Sequence, residues 1–547
     1  MKPSDTYLDS LAMLQKRPSS FYKVHTFLGT YTIDLTRIAK MTTLRLLKRF
    51  FCSLHSFFIR PALIVPLCVM AMDAGMVWAL SDAHIREAAV KIYTVTSEPV
   101  YGNPWMRSSP SEATGSGCII DGHRILTNAH VISDSTFVEV RFHGDPTRYP
   151  ARVVWASHEA DLAVLTVDDI SFFEGVTPLE LGALPQPRDP AVVYGFPTGG
   201  DSLSTTEGVV SRIEHQHYAH SGIYLLAMQL DAAINSGNSG GPVIAEGKVV
   251  GIAMQTLGGA DNIGYVIPVP VIQQFLTDVA DGELSGIPSL GIHTQNMEND
   301  ALQSFYGLTD DATGVIVTHV IPGMPAEGKL TPGDVILSVD GRTVAGDQTV
   351  EFRPQERTHM NFYIDQHQLG ESVDMDILRD GKPQKLRIIL NRTVQEAALV
   401  PPLRYDTSPS YFIYGGLVFS TLTTNYLDMW DDENYGASFS HLRWLRVKPK
   451  TIDGEEAIFI VKILPSYANR GYHDLVDRRI VKVNGQPVQN LEALVAAVES
   501  CTDQVYVRFE DVQDTQIVLK REQVEAEHQQ ILDTYGVPVD RSEDLRR

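Results

Sequence analysis

The sequence predicts a mainly β chain of several domains: a barrel or sandwich of short strands, followed by two smaller units of related pattern that add helix to strand. Three observations carry this expectation. The 547 residues allow three or four domains at roughly 150 residues each. Between Ile85 and Gly282, short alternating apolar runs such as TFVEVRFHGD, ARVVWASHEADLAVLTVDD, AVVYGFPTGG and KVVGIAMQT recur with turn signals between them, as in a barrel or sandwich. Beyond a Gly/Pro/Ser-bearing connector, DVADGELSGIPS, two later segments repeat one another.

With 44% hydrophobic and 20% charged residues, the composition is that of ordinary globular protein. The 45 Lys and Arg against 67 Asp and Glu give a net charge of −22, which repels phosphate backbones and argues against a nucleic-acid partner. The charge is uneven, because residues 1–80 hold ten Lys and Arg but only four Asp. From Met41 a basic region precedes an apolar run from Pro61 to Leu80 and then the small residues Ser81 and Ala83, the order of a secretory signal. Residues 1–83 are therefore expected to be a leader, with export to the periplasm as the first destination and an uncleaved membrane anchor or organelle import as alternatives. Forty residues ahead of such a signal are unusual, which makes Met41 a candidate start. The apolar run could just cross a bilayer, although Asp73 and Gly75 weaken an anchor. Cys52 and Cys68 fall in the leader; Cys118 and Cys501 read as buried hydrophobes rather than a disulfide or metal site.

Gly237-Asn238-Ser239-Gly240-Gly241-Pro242 sets a serine among glycines, where backbone amides can approach a reacting carbonyl. A serine hydroxyl needs a base, and the base needs a carboxylate that fixes its tautomer. His130 ends an apolar strand in Thr127-Asn128-Ala129-His130, and Asp161 directly precedes another in HEADLAVL. The order His130, Asp161, Ser239 is that of chymotrypsin-like double barrels. The glycines also satisfy G-x-S-x-G, but that elbow places acid and histidine after the serine and opens a helix. After Ser239 no histidine occurs until His293, and GPVIAEGKVVGIAM reads as strand, turn and strand. His215, His217 and His220 in HQHYAH lack a third ligand at metal spacing, so an exposed strand and turn is expected and no metal. HEADL is not H-E-x-x-H, since Leu162 stands where the second histidine would. No G-x-x-x-x-G-K-[ST] loop is present, and no cofactor is expected.

GSGCIID, LTNAHV, the ADLAVL run, AAINSGNSGGPV and NIGYVIP resemble, in order, the signature blocks of the HtrA/Deg serine proteases. GFPTGGDSLSTTEGVVSRIE with HQHYAHSG is similar to the Deg branch known from plants. The resemblance implies a chymotrypsin-like double β-barrel protease domain over residues 84–282. It implies His130 as general base, Asp161 as its orienting partner and Ser239 as nucleophile. The backbone N–H groups of Gly237 and Ser239 would form the oxyanion hole, with Asn238 adjusting that loop. Ser236 departs from the family's usual proline, which bears on the balance between competent and collapsed forms of the loop. Ala233, six residues before the serine, resembles the family's small apolar specificity pocket, implying cleavage after Val, Ala, Ile or similar residues.

In the repeated segments, Gly314–Pro322 is followed by GDVILSVDGRTV, and Ala457–Pro465 by DRRIVKVNGQPV. Each carries a strand, a Pro-containing turn, a second strand and a tight hairpin at Asp340-Gly341 or Asn484-Gly485. Leu491, Leu494, Val495 and Val498 then fall on one helical face behind Asn490 as cap. These units resemble PDZ domains, which add a peptide strand to a sheet edge, and give two α+β domains after the protease. The first, residues 286–395, has Ser289-Leu290-Gly291-Ile292 in the likeness of the carboxylate-binding loop, implying C-terminal peptides as partners. The second, residues 405–515, is divergent: Tyr414-Gly415-Gly416-Leu417-Val418-Phe419 resembles the second PDZ of the plant-type Deg branch, but a long insert interrupts it, which favours an assembly or structural role. Residues 516–547 are expected as a tail, also similar to the plant branch.

The expectation for the whole chain is an ATP-independent serine endopeptidase acting on unfolded or damaged proteins. A homo-oligomer, trimer or hexamer, is expected, with Tyr101-Gly102-Asn103-Pro104-Trp105 as an aromatic docking segment. The alternative is a holdase or peptide-binding protein whose protease site rests inactive. A pure PDZ scaffold is disfavoured by the presence of all three catalytic residue types.

Overall fold

Alternating side chains and closely spaced turn residues make strands of most of the chain. The computed structural model describes residues 82–546 except 198–199, 257–262, 309–312, 430–436 and 501, together with two strands nearer the N-terminus. Those strands, β1 (Phe21–Thr26) and β2 (Gly29–Asp34), form an antiparallel pair in a unit separate from the rest. Apart from those strands and Asp82 and Ala83, the expected leader, its start at Met41, and Cys52, Cys68 and Cys501 lie outside the described residues. Among the described residues no helix is long and apolar enough to cross a membrane.

Two closed antiparallel barrels follow. The first comprises β3 (Ala89–Thr96), β4 (Ser111–Ile120), β5 (Arg124–Thr127), β6 (Ser135–Phe142), β7 (Tyr149–Ser157) and β8 (Leu162–Val167), with the short helix α1 (Ala129–Ile132) after β5. The second comprises β9 (Pro190–Gly195), β10 (Ser204–His217), β11 (Tyr224–Leu230), β12 (Pro242–Ala245), β13 (Lys248–Thr256) and β14 (Gly264–Pro268), and helix α2 (Val269–Asp278) leads out of it. Val90, Ile92, Cys118, Leu126 and Val164 from one barrel and Val193, Met228, Val243, Ile252 and Val266 from the other belong to one continuous buried core. Cys118 is buried and unpaired there, as expected.

The next unit is built on a sheet of order β15-β16-β17-β21-β22. Its strands are β15 (Ile292–Gln295), β16 (Val315–Val320), β17 (Val335–Val339), β18 (Arg342–Thr343), the hairpin β19 (Thr349–Arg353) and β20 (Glu356–His359), β21 (Ser372–Arg379) and β22 (Lys382–Ile389), with helices α3 (Asp300–Phe305) and α4 (Asn361–Asp365). The last unit has β23 (Tyr411–Tyr414), β24 (Leu417–Thr421) and β25 (Ile458–Ile463) in one sheet. A second sheet holds β26 (Ile480–Val483), β27 (Gln486–Pro487), β28 (Tyr506–Asp511) and β29 (Gln516–Lys520). Its helices are α5 (Thr424–Asp428), α6 (Ala437–Trp444), α7 (Leu491–Glu499) and α8 (Arg521–Tyr535).

Local sequence signals act as expected here. Asp340 and Gly341 have φ of 47° and 73°, and Asn484 and Gly485 have 51° and 79°, the paired positive values that a tight two-residue hairpin requires. Asn490 accepts a hydrogen bond from the Ala493 N–H, and Leu491, Leu494, Val495 and Val498 of α7 are buried. Residues 516–547 are more than a tail: β29 pairs with β28, and Val524, Ile531 and Leu532 of α8 enter the cores of the unit.

The barrels and the two units that follow them are docked on one another. Hairpin β19–β20 lies along β10, where the Arg353 guanidinium donates to the carbonyls of Leu184 (3.3 Å) and Pro185 (2.7 Å), and Phe352 and Phe362 pack on the protease core. This seam overturns the expectation of an exposed HQHYAH segment. The His215 side chain, only 6% exposed, lies 3.1 Å from the Asp365 carboxylate and 2.8 Å from Thr358 Oγ1. His217 alone of the three is exposed. The Tyr101–Trp105 segment docks within its own chain. Tyr101 is buried in a core with Tyr411, Ile413 and Phe459, and the Trp105 and Tyr411 rings meet edge-on at 5.9 Å.

Candidate active site

His130 stands in α1, one residue past its start, and Asp161 at the turn into β8. The Asp161 φ of 53° lies in the left-handed region, which aspartate tolerates better than most residues. Its carboxylate is buried and doubly tied to His130: Oδ1 accepts the backbone N–H at 2.9 Å, and Oδ2 lies 2.8 Å from ring Nδ1. The Asn128 amide donates to the Asp161 carbonyl at 2.9 Å. Burial alone would raise the Asp161 carboxyl, but the charge and hydrogen bonds of His130 outweigh it and hold it below the usual range. Burial likewise pulls His130 down, yet Asp161 holds the imidazole above its ordinary value. With Nδ1–H directed at a carboxylate, the Nε2 lone pair is left to take a proton.

Ser239 lies in the turn between β11 and β12, and the first barrel bolts that turn in place. The Ser116 backbone N–H donates to the Ser239 carbonyl (2.9 Å); its hydroxyl donates to the Gly237 carbonyl (2.7 Å) and accepts the Phe196 N–H (2.8 Å). Gly240 has φ of +84°, and a Cβ there would sit 2.1 Å from the Ser116 carbonyl, so only glycine fits. The Asn238 N–H closes the turn onto the Asn235 carbonyl (2.9 Å). Among the described residues the N–H groups of Gly237 and Ser239 have no acceptor, which is the condition of donors awaiting an oxyanion. The Ser239 hydroxyl donates to the Met254 carbonyl at 3.0 Å, and no hydrogen bond joins it to His130. Ala233 is half-buried in the segment leading from β11 into this turn.

In the first PDZ unit, Gly291 takes φ of +70° and its N–H donates to Ser289 Oγ at 3.1 Å. Leu290 is buried, and Ile292 opens β15, the outer strand of its sheet, so one edge is open to an added strand. In the second unit the matching edge is taken. β23 lies along β24, the C-terminal residues run along β23 through Ile413 N–H to the Asp540 carbonyl (2.7 Å), and Asn469 Nδ2 donates to the Gly415 and Leu464 carbonyls (2.8 and 2.7 Å).

The neighbourhood of His130 also holds His220, expected in an exposed strand and turn, together with His158 and the distant Asp406. The His220 ring lies 6.0 Å from that of His130, and burial pushes it down to about 4, so it is neutral. His158 Nδ1 lies 2.9 Å from His220 Nε2, and His158 Nε2 lies 2.7 Å from Asp406 of the segment joining the two PDZ units. Asp406 is 248 residues away in sequence, and no local pattern could announce the contact. Glu159 accepts the Ile287 N–H at 2.8 Å, and burial pushes its carboxyl up to about 7. Among the described residues no cluster of three or more His, Cys, Asp or Glu could hold a metal.

Comparison with known proteins follows this geometry. Residues 115–252 match the family described as trypsin-like peptidase domain, and residues 288–390 and 400–544 each match a PDZ domain family. The chain is 41% identical over 415 residues to "Protease Do-like 4, mitochondrial" of Arabidopsis thaliana, covering 76% of this chain and 77% of that protein. It is 37% identical over 470 residues to "Protease Do-like 2, chloroplastic" of the same plant, covering 85% and 76%. Among solved structures, the "HtrA-type protease AlgW with decapeptide" aligns at a TM-score of 0.45 and 25% identity over 57% of this chain and 98% of that one. The double barrel, the two PDZ matches and the length shared with the Do-like relatives place the chain in the plant-type branch of the HtrA/Deg family, as a serine protease with two PDZ domains.

Proposed function

We propose that this chain is an ATP-independent serine endopeptidase of protein quality control, cleaving unfolded or damaged proteins through an acyl-enzyme formed on Ser239. The observation that carries the reading is the buried Asp161–His130 pair, in a double barrel whose Ser239 turn carries two unpaired amides. Ser239 Oγ turns from the Met254 carbonyl to His130 and attacks the scissile carbonyl while Nε2 takes its proton. The Gly237 and Ser239 N–H groups hold the oxyanion, with Asn238 shaping the loop, and His130 returns the proton to the leaving amine. Water, deprotonated by the same nitrogen, then frees the acid and restores the serine. Ala233 favours a small apolar side chain before the cleaved bond. C-terminal peptides dock at Ser289–Ile292 along β15, and the working form is a homo-oligomer, trimer or hexamer.

The basic, acid-poor first eighty residues have the charge of an organelle transit segment, and the relatives cited above are named for mitochondria and chloroplasts. Organelle import therefore replaces the periplasm as the favoured destination. Incubation of wild type and Ser239→Ala with casein, with and without ATP, tests the activity. Nucleotide-independent degradation by the wild type, lost in the variant, is expected. No cleavage by either protein, with suppressed aggregation, would favour a holdase.

A further inference from the structure

The two residues whose amides are left free in the serine turn have their carbonyls held by one residue of the other barrel. Ser116 of β4 donates its backbone N–H to the Ser239 carbonyl at 2.9 Å and its hydroxyl to the Gly237 carbonyl at 2.7 Å. The direction of the second bond is fixed by a third group. The Phe196 N–H, one residue past β9, reaches Ser116 Oγ at 2.8 Å, and an amide N–H only donates, so the hydroxyl proton is left to point at Gly237. Ser116 is 1% exposed and touches no solvent or substrate. The peptide between Gly237 and Asn238 is thus held at both ends, by Ser116 at its carbonyl and by the Asn235 carbonyl at its N–H (2.9 Å). Gly237, at φ of +95° and without a Cβ, would otherwise resist rotation of that peptide very little. Ser116 is tied to the other half of the site as well. Its carbonyl accepts the Thr127 hydroxyl at 2.7 Å, and Thr127 adjoins Asn128, whose amide holds the Asp161 carbonyl.

We propose that Ser116 is a positioning residue for the oxyanion hole: its hydroxyl keeps the Gly237 and Ser239 amides aimed at one point and in register with His130 and Asp161. The inference rests on Ser239 being the nucleophile and on those two amides being the oxyanion donors. Such donors stabilise a developing charge because they face it beforehand, and donors that must turn during the reaction lose that advantage. Without the hydroxyl, the buried Gly237 carbonyl and the buried Phe196 N–H both lose their partner. The glycine peptide then rotates to find another, and the Gly237 N–H leaves its line. Because Ser116 lies beneath the turn rather than in the cleft, the loss falls on the transition state and not on substrate binding.

The test compares full-length wild type, Ser116→Ala, Ser116→Cys and Ser239→Ala on a fluorogenic peptide taken from a casein site that the wild type cleaves, and on the boronic acid of the same peptide. The boronate forms a tetrahedral adduct on the serine with one oxygen at the oxyanion position, so it reports the hole without turnover. Ser116→Ala should lower kcat at least about tenfold, toward the roughly hundredfold that a misplacement of about 1 Å costs, with KM within about twofold of wild type. Boronate affinity should fall by the same factor as kcat/KM. The acid limb of the pH–rate profile should stay where wild type has it, because His130 keeps its carboxylate. Ser116→Cys, a weaker donor of similar shape, should fall between the two, and it carries the comparison should Ser116→Ala fail to fold. A merely structural role would lower the melting temperature and leave kcat and boronate affinity of the folded variants at wild-type values, and that result overturns the inference. A loss of kcat with the boronate bound as tightly as in wild type overturns it too. Cleavage that persists in Ser239→Ala, or a boronate that wild type binds no more tightly than the substrate, would count instead against the catalytic reading.

Discussion

Asp161 decides what His130 can do. Its buried carboxylate fixes the imidazole tautomer and holds the ring above its ordinary pKa of 6.5. A base must be neutral to accept a proton, so activity should fall as pH drops through a value above 6.5. Asp161→Asn should cut kcat by about four orders of magnitude, the size seen when such an orienting acid loses its charge. Loss of the anion also lowers the His130 pKa, so the residual acid limb should move to lower pH; a pH–rate profile of the variant checks both. The pairing of His130 with Asp161 and the glycine-flanked turn at Ser239 were legible because each residue sits in a short motif. The Ser239 hydrogen bond to Met254 was not, because it depends on one side-chain rotation and a carbonyl fifteen residues on.

Between elements, β10 meets the first PDZ through His215, which lies 2.8 Å from Thr358 Oγ1 of β20 and 3.1 Å from the Asp365 carboxylate of α4. Burial raises the Asp365 carboxyl, and the His215 hydrogen bond and charge offset only part of that. His215→Ala leaves a buried carboxyl without its partner and should cost about 3 kcal/mol or more, read as faster hydrogen exchange in β19–β20. Glu159 gives the neighbouring connector a pH dependence. Its folded pKa of about 7 exceeds the ordinary 4.5, so the folded state favours the protonated form. That stability is present below pH 4.5 and lost as pH rises through 7, on the order of 3 kcal/mol. Glu159→Gln keeps an acceptor for Ile287 and should melt higher than wild type at pH 8, with the gap closing at pH 5. Hairpins at Asp340-Gly341 and Asn484-Gly485 and helix α7 were legible because their causes lie within a few residues. The fate of HQHYAH was not, since the surface that buries His215 comes from residues 358 and 365 in another unit.

For the whole molecule, the two PDZ units are parts of one docked body with the protease rather than beads on a linker. Tyr101 and Trp105 pack against the second PDZ of their own chain. Trp105→Ala should loosen that contact and speed limited proteolysis in the segment joining the PDZ units, without changing the melting of the barrels. Domain order was readable from repeats and motif blocks, while docking was not, because complementary surfaces leave no periodic trace. The most direct measurement of the central claim is to treat the protein with diisopropyl fluorophosphate and map the adduct by peptide mass spectrometry. The account predicts a single modified serine, Ser239, and no modification in His130→Ala. An adduct on another serine, or equal labelling without His130, would contradict it.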